Sequence, residues 1–295
     1  MSISGADQVT SARIVVGVDG SASSKEALRW AVAQARLTGQ PVEAVISWEY
    51  PTNYAAAEWG GFDGEANATQ LLQAAVADAV HGEDAARVTQ RAVRAQAARA
   101  LLDAAAGAAL LVVGSRGHGG FTGLLLGSVS QQVITHASCP VAVVHATVGE
   151  PTARIVVGVD GSSSSKEALR WAVAQSRLTG QPVEAVISWD YPVNYAIAAL
   201  GTFEWAGSAT QALEAAVGET VHGEDAARVT QQVVRGHAAG ALLDAAAGAA
   251  LLVVGSRGHG GFASLLLGSV SQQVVTHAPC PVVVVHAPVV EATAH

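Results

Sequence analysis

The chain has 295 residues, about twice an average domain, so two domains are expected. Half of its residues are hydrophobic, only 14% are charged and the mean hydropathy is +0.33, which excludes a disordered chain. Sixteen Lys and Arg against 24 Asp and Glu give a net charge of −8, which argues against coating a nucleic-acid phosphate backbone. The longest apolar run, around Leu101–Val113, is interrupted by Asp103 and Gly107 and falls short of the roughly 18 to 20 residues of a spanning helix, so no membrane partner is expected. Residues 1–10 are polar and lack the basic and apolar parts of a signal peptide. Two cysteines make no disulfide framework. These features suggest a soluble cytoplasmic protein.

The most informative feature is a duplication. A shift of 141 positions superimposes Arg13–Ala146 on Arg154–Ala287 without a gap, at roughly four identities in five. A repeat of that length is a whole domain rather than a solenoid unit. The domains are taken as 1–148 and 149–295, joined by a short linker near 147–153.

In chain order, Ile14–Val18 is a β-branched apolar run without polar alternation, the pattern of a strand buried on both faces. Ser23 and Glu26 read as a capping box, and Leu28, Ala31, Val32 and Ala35 keep helical spacing until Gly39. Val42–Trp48 is predicted as the second strand, Ala66–Val80 as a helix and Val88–Val93 as the third strand. Ala98–Ala106 is predicted as a helix stopping at Gly107, and Ala109–Val113 as another buried strand. Val129–His136 reads as a helix and Val141–His145 as the last strand. The second copy repeats each element 141 residues later. The fold class is therefore α/β, with two repeated doubly wound domains, each a five-stranded parallel sheet with helices on both faces.

Ligands of open α/β sheets sit beyond the carboxyl ends of strands. The first strand runs into Gly17-Val18-Asp19-Gly20-Ser21. The fourth runs into Gly114, Ser115, Arg116, Gly117, His118, Gly119 and Gly120, and the chain then reaches Gly127-Ser128 where a helix begins. Such glycine density lets a backbone approach a ligand and turn its N–H groups inward as an anion nest, or it simply closes tight turns. Ser128 with Gln131 reads as a second capping box, and the helix start adds partial positive charge. A phosphate chain could lie along this loop. The two lysines, Lys25 and Lys166, follow no glycine-rich loop, so neither a Walker loop nor a Gly-x-Gly-x-x-Gly fingerprint is present. Phosphate would be held mainly by backbone N–H, hydroxyls and Arg116. Arg116 could clamp a terminal phosphate or remain a solvated loop residue, and His118 is read as a spectator. Asp19 contacts ligand or closes a turn before the helix. The histidines lack metal-ligand spacing, so no structural metal is expected. Cys139 and Cys280, each before a proline, read as buried free thiols.

The aromatic segment after the second strand holds Trp48, Tyr50, Tyr54, Trp59 and Phe62, matched by Trp189, Tyr191, Tyr195, Phe203 and Trp205. It is also where the copies differ most. Packing is the reading for Trp48 and Tyr50, and a contact surface for Trp59 and Trp205.

Each copy resembles a universal stress protein domain of the ATP-binding type, and the chain resembles a tandem member. The residues that carry this are Val-Gly-Val-Asp-Gly-Ser at 16–21, Gly114-x2-Gly117-x9-Gly127-Ser128, and His136-Ala137-Ser138-Cys139-Pro140-Val141. The resemblance implies strand order 3-2-1-4-5 and one ATP site per domain, to which Mg²⁺ could come with the nucleotide. It implies that Asp19 meets the ribose or adenine side beside Gly17. It further implies that residues 114–120, Gly127, Ser128 and Val129 hold the phosphates, and that Trp48 meets adenine through its backbone. The matching positions are Gly158, Asp160 and Trp189, then Gly255, Ser256, Arg257, Gly258, His259, Gly260 and Gly261, then Gly268, Ser269 and Val270. It also implies pairing of Val141–His145 with Val282–His286 inside one chain, a pseudo-dimer, and leaves association of two chains open. The implied function is a nucleotide-dependent stress-response regulator. The alternatives are a slow ATP-hydrolysing or phosphotransferring enzyme, although Asp19 is the only nearby carboxylate, and an adaptor with vestigial pockets.

Overall fold

The computed structural model describes residues 12–50, 63–117, 126–145, 154–191, 204–259 and 267–287. The first copy runs β1 (Ile14–Gly17), α1 (Ala22–Thr38), β2 (Val42–Trp48), α2 (Gly64–Ala79), a 3₁₀ turn (Gly82–Arg87), β3 (Val88–Arg94), α3 (Ala97–Ala104), β4 (Leu110–Gly114), α4 (Ser128–His136) and β5 (Val141–Val144). The second runs β6 (Ile155–Gly158), α5 (Ser163–Thr179), β7 (Val183–Trp189), α6 (Trp205–Thr220), a 3₁₀ turn (Gly223–Arg228), β8 (Val229–Arg235), α7 (Ala238–Ala245), β9 (Leu251–Gly255), α8 (Ser269–His277) and β10 (Val282–Val285). Among the described residues no helix is long and apolar enough to cross a membrane.

The strands join into one ten-stranded sheet of order β3-β2-β1-β4-β5-β10-β9-β6-β7-β8. Each half is parallel, in the expected order 3-2-1-4-5. The halves meet where β5 and β10 pair antiparallel, with Val282 opposite Val143, Val283 opposite Ala142 and Val284 opposite Val141. Period-two alternation sends Val16, Ala44 and Val112 to one face and Val15, Val45 and Leu111 to the other. Helices α1 and α2 cover the first face and α3 and α4 the second. Each of the two resulting cores continues through both copies. The central strands bury both faces, which explains their unbroken Val, Ile and Leu runs.

Two caps differ from the sequence reading. The N-cap of α1 is Ser21, whose hydroxyl accepts from the Ser24 amide at 3.3 Å, and not Ser23. Gly20, at φ 87°, turns the chain out of β1 early enough for the helix to begin at Ala22. The N-cap of α4 is Gly127, with no side chain to cap it, so Ser128 lies one residue inside the helix and forms no capping box. Gly39 ends α1 as expected, in the left-handed conformation at φ 74°.

The seam between the halves carries polar contacts as well as strand pairing. His145 Nε2 lies 3.1 Å from the Val275 carbonyl of α8, and His286 Nε2 lies 2.8 Å from the Ile134 carbonyl of α4. Carbonyls only accept, so each Nε2 carries the proton. Burial lowers both histidine pKa values, and the charges of Arg116 and Arg257 act in the same direction. Across the same axis the buried Gln175 amide donates to Gln34 Oε1 at 2.8 Å. Cys139 and Cys280 are buried free thiols, and burial pushes their pKa values up to about 11 and about 12.

Candidate nucleotide site

Beyond the carboxyl ends of β1 and β4, each copy holds a cavity, of about 650 Å³ in the first and about 460 Å³ in the second. One end is apolar, formed by Val45, Ile46, Leu101 and Val113. The other is polar, formed by Gly114, Arg116 and Gly117 after β4 and by Ser128. This is the crevice at which strand order reverses, since β1 is flanked by β2 on one side and β4 on the other.

The polar end is stitched from both sides. The Ser115 amide donates to Val144 O at 2.8 Å, tying the loop to β5, and the Gly127 amide returns to Ser115 O at 2.8 Å. Ser130 Oγ donates to Gly114 O at 2.7 Å, and Ser23 Oγ donates to Arg116 O. The second copy repeats each bond through Ser256, Gly268, Ser271 and Ser164. A Cβ on Gly114 would come within 2.7 Å of the Ser23 backbone carbon, so only glycine lets α1 pack this close to β4. Gly17 is also a packing position, since its Cβ would meet Leu101 at 2.8 Å. Because Gly127 has no side chain, no cap of its own covers the first amides of α4, Ser128 and Val129, and both residues line the cavity.

Asp19 and Asp160 form the rim. Asp19 Oδ1 accepts from the Ser21 amide at 3.0 Å and from its hydroxyl at 2.6 Å, and Asp160 does the same with Ser162. Asp160 Oδ2 also accepts from the His259 amide at 3.0 Å. Burial works against the charge of Asp160, but the bonds from Ser162, His259 and Ser165 outweigh it, and its pKa falls below the ordinary carboxylate value. A Cβ on Gly117 or Gly258 would lie 2.4 Å from the Oδ2 of Asp19 or Asp160, so the aspartate and the glycine loop occupy touching positions. The aspartate therefore closes a turn and faces the cavity at once, and the two sequence readings of it are compatible.

The model of the universal stress protein family matches residues 11–145 and again residues 151–286. The chain belongs to the universal stress protein family. It is 35% identical over 290 residues to a universal stress protein of Mycolicibacterium smegmatis, covering 92% of this chain and 96% of the relative. It is 34% identical over 292 residues to one of Mycobacterium tuberculosis strain H37Rv, covering 92% and 95%. Among solved structures, a universal stress protein from Archaeoglobus fulgidus DSM 4304 shares the fold, with TM-score 0.65, 21% identity and coverage of 96% of this chain and 98% of that one.

In this universal stress protein the structure gathers most of the sequence-chosen positions around the cavities. Gly17, Asp19, Gly114, Arg116, Gly117, Gly127, Ser128 and Val129 line the first cavity, and their counterparts line the second. Ser115 and Ser256 are buried behind the loop and act through its hydrogen bonds. His259 is exposed and contributes its amide. His118, Gly119, Gly120, Gly260 and Gly261 lie outside the described residues, as do the linker, Tyr54, Trp59, Phe62, Tyr195 and Phe203.

Trp48 and Trp189 do not line the cavities. Trp48 shares the face of Ala44 and Ile46 and packs over Gly64, where a Cβ would come within 2.5 Å of the indole. Its neighbour Ser47 is the last β2 residue that lines the cavity, after Val45 and Ile46. Trp48 also makes an edge contact with Tyr50 at 5.3 Å, and the Arg94 guanidinium stands 4.8 Å from the Tyr50 ring and 5.8 Å from Trp48. Arg235, Trp189 and Tyr191 repeat the arrangement. Sequence reading missed Ser23, Ser130 and Ser47. The hydroxyl-rich run Ser21-x-Ser23-Ser24 was the available signal. Among the described residues no three His, Cys, Asp or Glu side chains converge as a metal site.

Proposed function

We propose that each domain, 1–148 and 149–295, binds one adenine nucleotide, ATP by preference. On this reading the tandem is a cytoplasmic stress-response regulator whose nucleotide-dependent conformation or assembly carries the signal. The observation that supports this best is the cavity itself, present twice, with an apolar end sized for a base and a polar end built from backbone. The residues fit the group. A glycine strand end, a glycine loop and an uncapped helix start converge where a phosphate chain needs donors, and an acidic protein can hold a polyanion through such local dipoles. Arg116 and Arg257 supply the cationic side chains, and Mg²⁺ could arrive with the nucleotide. The paired β5 and β10 fit a built-in pseudo-dimer, each half covering the other's apolar edge.

The test is ATP titration of the full chain by calorimetry together with thermal unfolding. Two molecules bound per chain and a raised Tm are expected. Gly117→Val should reduce the stoichiometry to one, because its side chain would enter the space shared by Asp19 and the ligand. No bound ATP and an unmoved Tm would overturn the proposal, and an unchanged stoichiometry in the variant would overturn the site.

A further inference from the structure

Every residue lining the second cavity has an identical counterpart 141 positions earlier in the lining of the first. The first cavity has one wall residue more, Leu71 of α2, and at the matching position of α6 stands Ala212. The exposed large hydrophobic residues among those described otherwise come in matched pairs, Leu37 with Leu178 and Tyr50 with Tyr191. Leu71, 50% exposed, stands alone. Its neighbour Leu72 is 1% exposed and anchors the helix in the core, so Leu71 sits on the shoulder of α2 at the cavity mouth. Helix α2 packs on β2 and β3, on the far side of β1 from the glycine loop after β4. Leu71 therefore borders the apolar end of the cavity and not its phosphate-binding end.

We propose that Leu71 is an affinity- and specificity-determining residue that makes the two sites of this chain unequal, by laying an apolar wall against the base in the first site that the second lacks. The inference rests on the nucleotide reading above and deepens it. The isobutyl group gains burial when a flat base closes the mouth, whereas a methyl at position 212 has little area to offer. Covering about half of a leucine side chain corresponds to roughly five- to tenfold in affinity, using the ordinary value of buried apolar surface. A ligand without a base gains nothing from this wall, so the inequality belongs to the base alone.

Calorimetric titration of the full chain with ATP tests this. The unmodified chain should show two classes of site separated by about five- to tenfold. Leu71→Ala should merge them at the weaker affinity, and Ala212→Leu should merge them at the tighter one. Both changes lie on partly exposed helix surface and substitute good helix formers, so the fold is retained. Inorganic tripolyphosphate should bind both sites alike in all three proteins. Two equal ATP sites in the unmodified chain, or two classes that persist in Leu71→Ala, would overturn the inequality while leaving the nucleotide reading intact. A difference between the sites for tripolyphosphate would overturn the assignment to the base. No ATP binding at all would overturn both readings.

Discussion

The two copies solve the same folding problem twice, and the places where they agree and disagree are physically distinct. Where the strands end they coincide: the Asp–Ser turn bonds are 3.0 and 2.6 Å in both, and the loop closures beneath the cavity are 2.8 Å in both. At the start of the helix beside β2 they part. Asp63 caps α2 by accepting from Ala66 N at 3.0 Å, and Gly64 lies beneath the Trp48 ring. In the second copy Glu204 makes no such cap and a half-buried Trp205 takes the place of Gly64. Floor residues have backbone neighbours within touching distance, so a change there must move main chain. The positions that open α2 and α6 meet a side chain or solvent instead of main chain, and can change singly. The duplication separates what the cavity requires from what can tune it.

The largest effects should come from testing the floor. Gly114→Ala and Gly255→Ala each push a methyl against backbone, of Ser23 in one copy and of Ser164 and Ser165 in the other, at 2.7–2.8 Å. Each should destabilise by roughly 1–3 kcal/mol in urea unfolding. A marked inequality between them would break the equivalence of the two floors. Next comes the axis. Gln34→Ala and Gln175→Ala should each cost about 1 kcal/mol, since either leaves a buried amide without its partner. The double variant should cost less than the sum, and strict additivity would show that the pair does not couple the halves.

The smallest effect should come from protons. The His145 and His286 pKa values are lowered in the folded chain, so the unfolded chain binds more protons below its ordinary value of about 6.5. Their contribution is complete above that pH and is lost as pH falls from there toward the folded values. Unfolding measured between neutral and mildly acidic pH should show this loss, reduced in His145→Phe and removed when His286→Phe is added. An unchanged slope in the double variant would exclude the seam histidines as its source.

Most of the fold was legible because the central strands bury both faces and the helices bury one, which writes period and composition directly into the chain. The 3₁₀ turn at Gly82–Arg87 was not foreseen, since it has no apolar period and depends on Gly82 at φ 65°. The caps were misplaced by one or two positions for a common reason. Ser-x-x-Glu and Ser-x-x-Gln patterns occur at Ser23 and Ser128, but the turn preceding each helix fixes where it starts. The glycine loops were legible as a candidate site. The main-chain contact with adenine that the resemblance implies for Trp48 falls one residue beyond Ser47, the last β2 residue that lines the cavity, because the indole packs on Gly64 at the start of α2. The contact of His145 with α8 could not be read at all, because it joins residues 130 positions apart across two domains.

The central cross-strand pair of the seam, Ala142 facing Val283, has a consequence for how the halves recognise one another. In a dimer of identical chains the residue on the axis meets itself, so a small group can never be matched with a larger one there. Covalent duplication lifts that restriction, and here an alanine of one half stands opposite a valine of the other. At the axis the halves are thereby no longer identical. A chain of two first copies would leave a gap at this point, and a chain of two second copies would crowd it. Produced as separate polypeptides and mixed, the halves should sort into unlike pairs.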